Sequence, residues 1–303
     1  MTDIASKRAA ALTILAGFED LLRRANVSDS GEARMCACLT LTIFEQFRSA
    51  MCLIDNGLGT HAAGPIRSML EGVADLVNLA KDRNYLSQLH YDDARSNVAL
   101  YDDAMGLENV PPHMSEFLRE KRDRDEPVRK ELREAGVGKM YLEERLKLAK
   151  LGDAYVQYRI LCSMVHTSVT SLMARHAGRG RLTELAYCVP PEEPVLGMLL
   201  LIAADLLMRA GSEMHNFSDL TEAEVNAVGE EVKKAWTGAD PDYLQASADD
   251  ATTAKPADPP CRPQIDRADI GVASIRCVAD DAARISIEPS LTHEHEESIP
   301  EDR

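Results

Sequence analysis

The chain has 303 residues, 45% of them hydrophobic but only 5% aromatic, and a formal net charge of −16. That length supports one large or two small domains with a sizeable core, and abundant Leu, Ala, Met and Glu with few aromatics favour helices over a sandwich or barrel. The acidic balance disfavours nucleic-acid binding through bulk charge, because phosphate affinity comes from Lys and Arg.

Helical periodicity dominates up to about Gly238. A first helix is expected over Asp3 to Ala25. A second starts at Ser28 or Ser30, either a good N-cap, and runs to Asn56 with Gly57 as its stop. A third follows Thr60, with Pro65 in its first turn, and ends near Asp82. A fourth covers Arg83 to Ala104. Residues 110–136 form a highly charged, solvated hairpin segment that Pro127 should break or kink. A short helix follows at Met140 to Leu151, then a long one from Asp153 to about Ala177. Val195 to His215 and a last helix opened by a Thr221/Glu224 capping box complete the series. The fold class is all-α: a bundle of about seven to eight helices over residues 1–238. From 239 to 303 apolar periodicity is lost and Pro, Asp, Ala, Ser and Thr prevail, which reads as a disordered acidic tail. From Asp240 onward 15 residues are acidic and 6 basic, so the helical part is only mildly acidic.

Seven cysteines, an odd number with no C-x-x-C pair, suit a reduced, intracellular chain. Lys7 and Arg8 precede a short apolar run that Glu19 and Asp20 interrupt, without a convincing signal-cleavage site. No uncharged run reaches the ~18 residues of a membrane span; the nearest, 195–208, contains Asp205. The expectation is a cytoplasmic protein without a membrane segment. There is no phosphate-binding glycine loop, no H-E-x-x-H and no G-x-S-x-G, and no cofactor or metal is expected. His293 and His295 read as part of a solvated tail.

Two helices carry polar stripes. In GPIRSMLEGVADLVNLAKD, Arg67 and Glu71 lie four apart, with Asp75 and Asn78 close by, on an otherwise broad apolar surface. If that helix is central the pair is substantially buried and needs partners across the bundle. In the 153–177 helix, Tyr155, Arg159, Ser163, His166 and Thr170 follow at steps of four, four, three and four. His166 and Ser163 are expected to meet Glu71 in the interior, with Tyr91 and Asn97 as further members. The groups either fix helix register by bonding each other, or form a pocket in which Arg67 or Arg159 holds an anion and His166 moves a proton. His61 and His113 read as surface residues at helix starts. Arg175 and His176, with Arg179 and Arg181, read as a basic patch at a helix C-terminus.

At these residues the chain resembles a bacterial all-helical family known only as a domain of unknown function. Its members carry an Arg-Ser-x-Leu-Glu-like helix, here Arg67-Ser68-Met69-Leu70-Glu71, and a Tyr…Leu-Ser-x-x-x-His-like helix, here Tyr158 to His166 with the Ser-to-His spacing one residue shorter. The resemblance covers roughly residues 30 to 215 and implies a helical bundle without an established activity. A fainter likeness is to the HEPN ribonucleases, small helical bundles that use an Arg, four to six residues, then a His, in a dimer cleft without metal. Arg159 and His166 have six residues between them, although Ile160 departs from the polar residue usual after that Arg.

Two functions follow. The first is a non-enzymatic module that binds a small anionic ligand or a protein partner through Arg67, Glu71, Ser163, Tyr155 and Tyr91. The second is an HEPN-like ribonuclease acting in defence or toxin systems, with His166 as acid or base, Arg159 on the phosphate and RNA as substrate. Either admits a homodimer.

Overall fold

Short polar residues ahead of apolar periodic runs start many of the helices. In the computed structural model, which describes residues 3–176 and 185–240, Asp3 caps the first helix α1 (Ile4–Arg24) and Ser30 the second, α2 (Gly31–Asp55), each accepting from a backbone N–H of the first turn. Gly57 takes φ +75° just beyond α2, where a side chain would be strained. A 3₁₀ turn, Gly59–Ala62, leads into α3 (Ala63–Lys81). Then come α4 (Tyr85–Met105), α5 (Pro112–Glu134) and α6 (Leu142–Leu148). The chain continues through α7 (Ala154–Val165), α8 (Val169–His176) and α9 (Glu193–Ser212). A 3₁₀ turn, Glu213–Asn216, precedes α10 (Glu222–Ala239), whose Thr221/Glu224 capping box is formed in both directions. The described residues thus hold ten α-helices and no strand, only isolated bridge residues such as the Val27–Ser218 pair.

The architecture centres on α3. Its Ile66, Met69, Leu70, Val73, Leu76 and Leu79 are buried, and it packs against α2, α7 and α9. Gly72 lets α2 approach: a Cβ there would lie 3.1 Å from Ile43. On the far side α1 rests on α9 and α10, and α4 pairs with α5 as a hairpin.

Two expectations are corrected. Pro127 lies inside α5 without ending it. Only Asp125 of that helix is buried, so the carbonyl one turn back, deprived of its N–H partner, is free to meet water. The helix expected over Asp153–Ala177 is two helices, because the backbone turns extended at His166 (ψ 147°). Polar side chains make that break: Ser168 accepts from the N–H of Ser171 as a cap for α8, and Ser171 Oγ donates to the His166 carbonyl. The expected tail lies outside the described residues except for Ala239, which ends α10, and Asp240, which accepts from Lys7 at 2.7 Å.

By length and composition two helices, Gly31–Asp55 and Glu193–Asn216, could cross a membrane. Here α9 is a core helix, with Leu199, Leu200, Ile202, Leu206 and Leu207 buried against its neighbours.

Candidate functional site

Three polar groupings stand out from the apolar frame. The first lies along the seam of α3 and α7. Arg67 donates from Nε to Glu71 at 3.0 Å, and its guanidinium sits 5.2 Å over the ring of Tyr158, which stacks on Tyr155 at 6.1 Å between centroids. Burial works against the Arg67 charge, but the hydrogen bond and charge of Glu71 outweigh it and hold its pKa up. The pair is half-buried rather than interior, with side-chain exposures of 28% and 40%.

The partners expected from α7 do not arrive. Arg159, Ser163 and His166 are exposed, and the Ser163 hydroxyl turns back to the Ile160 carbonyl at 2.7 Å. At 100° per residue, Arg159 and Ser163 lie about 160° around α7 from Leu161, its one buried side chain, whereas Tyr158 lies about 60° away. The helix therefore turns Tyr158 toward Arg67 and the Arg159–Ser163 stripe outward. Tyr91 is buried on α4, whose main packing partner is α5. Asn97 bonds Asp93 and Asp125, both at 3.2 Å. With Glu71 already neutralising Arg67, the seam offers an anion no spare charge.

The second grouping went unrecognised in the sequence. Arg145 of α6 reaches Asp75 of α3 at 3.1 Å and Asp92 of α4 at 3.0 Å. Tyr85 donates to Asp75 at 2.7 Å, and Gln88 joins Asp92 to the Gly138 carbonyl. Burial pushes the Asp75 carboxyl up from the usual range although Arg145 and Tyr85 oppose it, and burial beside Asp75 pushes the Tyr85 phenol up as well. Every member answers another from a different element, so the network pins α6 and the 138–141 loop to α3 and α4. The available signal was Asp75 itself, an acid on an apolar helix; its partner 70 residues away had no local pattern to reveal it.

The third grouping is a cavity of about 440 Å³ between the 59–62 turn, the end of α8 and residues 187–189. His61, Arg175 and His176 line it together, although each reads from sequence as an ordinary surface or helix-end residue. Arg175 also donates to the Met164 carbonyl, capping the end of α7. Arg179 and Arg181 lie outside the described residues.

Residues 33–181 match DUF5677, a family of unknown function. The DUF5677 match runs from the start of α2 past the end of α8, so it takes in the Arg67/Glu71 seam, the Arg145 network and the basic lining of the cavity. α1, α9 and α10 lie outside it. No curated protein and no solved structure matches the chain. The HEPN likeness rests on the Arg159/His166 spacing alone.

Proposed function

We propose that the protein is a helical binding module whose docking face is the outer side of α7 and the start of α8, and whose partner is a second copy of the chain. The exposure of large apolar side chains there carries the reading: Val156 is 64% exposed, Ile160 37% and Val169 78%. Single exposed apolar residues are ordinary, but several on one segment, rimmed by Arg159, Ser163 and His166, mark an interaction face. The polar residues at the two ends of the helix favour antiparallel self-pairing. Asp153 precedes α7 and His166 closes it, and both are exposed. Two α7 helices crossing about residues 159–160 set each Asp153 opposite the other copy's His166, as a two-fold interface requires. Size-exclusion chromatography with light scattering tests this. A dimer mass is expected for the wild type and a monomer for Val156→Lys with Ile160→Glu; a wild-type monomer at every concentration overturns it.

A second reading, a metal-independent ribonuclease of the HEPN kind, is favoured by the exposure of Arg159 and His166 on that same face, with six residues between them along the chain. Self-pairing would gather two copies of each in one cleft, with Arg159 stabilising phosphate charge and His166 moving the proton. It predicts RNA cleavage in EDTA that His166→Ala abolishes. RNA left intact by the wild-type dimer removes this reading and leaves the first in place.

A further inference from the structure

The cavity lined by His61, Arg175 and His176 shares no lining residue with that docking face. Its three nitrogenous side chains come from two separated stretches of sequence, the 59–62 turn and the end of α8, and no carboxylate is among the described residues that line it. Asp55, near the end of α2, is held in a two-pronged pair by Arg8. Arg175 is permanently charged, whereas an imidazole beside it sheds its proton unless an anion enters to favour the charged form. Arg175 spends one donor on the Met164 carbonyl and keeps the rest of its five-donor fork. His176 Nδ1 lies 3.2 Å from the Ala186 carbonyl, an acceptor only, so Nδ1 carries a proton and Nε2 is the nitrogen left for the cavity. A neutral His176 would present a lone pair to an anion, and only its protonated form presents a donor. Burial, and then the neighbouring Arg175 and His176, hold the His61 imidazole below its usual range. Tyr187 and Cys188 are the other titratable groups in the lining.

Leu53, Leu58 and Val189 supply apolar wall, Thr60 a hydroxyl, and the space is well within the range of small-molecule sites. A second groove of about 440 Å³ shares His176 and Tyr187 with it and is lined by Leu172, Met173 and Leu185. A cationic cavity opening beside an apolar groove suits a ligand with a doubly charged head on an apolar or aromatic body. A phosphate monoester has that head near neutral pH.

We propose that this cavity binds a small-molecule phosphate monoester, with Arg175 and the protonated His61 and His176 around the phosphate and the organic body along Leu172, Met173 and Tyr187. Binding then draws protons onto the histidines, because by linkage an anion that prefers the imidazolium raises its proton affinity.

Calorimetric titration of the full chain tests the proposal with phenyl phosphate, inorganic phosphate, phenol and benzoate, near pH 7 in two buffers of different ionisation heat. Saturable binding of phenyl phosphate is expected, tighter than phenol or benzoate, with net proton uptake. His61→Gln and His176→Gln, each with a circular-dichroism melt to confirm folding, should each weaken binding about tenfold and reduce the uptake. Arg175→Gln also removes a helix cap, so its loss of binding counts only where its melting temperature stays near the wild type. Inorganic phosphate binding as tightly as phenyl phosphate would remove the organic part of the assignment. No saturable heat with either phosphate, or histidine variants that bind and take up protons like the wild type, overturns it.

Discussion

Asp75 is a carboxylate on α3, a largely buried helix, and its environment decides what that means. Arg145 and Tyr85 both stabilise its charged form, yet burial is the largest influence and leaves its pKa raised. A raised carboxyl binds its proton more tightly folded than unfolded, so its stabilising contribution is fully present below the unfolded pKa and is lost as pH rises through the folded value. The wild type should therefore gain stability relative to Asp75→Asn as pH is lowered from neutrality to below about 4. Urea unfolding of both proteins at several pH values measures this, and a constant difference would show that Asp75 titrates as it does unfolded. Arg145 presents the converse case. Its side chain is 21% exposed between Asp75 and Asp92 at 13% and 12%, so Arg145→Ala leaves two carboxylates facing each other in poor contact with water. A loss of about 3 kcal/mol is expected in chemical denaturation. A loss under about 1 kcal/mol would mean that solvent screens the network. The contrast with Arg67 is instructive: that pair was legible because its partners stand four residues apart on one helix, while the Arg145 network joins three elements and no spacing encodes it.

At the scale of elements, most helices were legible because each carries its own start and stop. Ser30 and Gly57 bracket α2, and Thr221 with Glu224 opens α10. The 153–177 segment was not, for two physical reasons. Its break depends on Ser168 and Ser171 bonding the backbone, an option that polar residues offer anywhere and take only in some places. Its outer face also carries Val156 and Ile160, so apolar periodicity surrounded the polar stripe and mimicked burial. Ser168→Ala should lower stability by about 1 kcal/mol by uncapping α8, measured as a shift in the denaturation midpoint. Close approach of helices leaves a stronger mark at Gly211 of α9, where a Cβ would fall 2.3 Å from the ring of the buried Phe18 on α1. Gly211→Ala should therefore cost about 3 kcal/mol, and adding Phe18→Leu should recover part of it. Additive losses would mean that α9 shifts off α1 instead of pressing on that ring.

For the whole molecule, the arrangement separates rigid support from exposed chemistry. The α1, α9 and α10 side buries its apolar residues against the core, whereas α7 covers α3 with one face and leaves the other open. If that open face pairs two copies, association of the folded chain is linked to its folding, and the melting temperature must rise with protein concentration. The wild type should show this dependence in calorimetry, while Val156→Lys with Ile160→Glu should melt at one temperature throughout, because both positions are exposed and neither substitution disturbs the core. High salt should shift the wild-type curve only modestly, since the Asp153–His166 contacts at the rim are screened while the Val156 and Ile160 contacts are not. A melting temperature independent of wild-type concentration would make the α7 face a surface for some other partner and would also dissolve the composite cleft on which the ribonuclease reading depends.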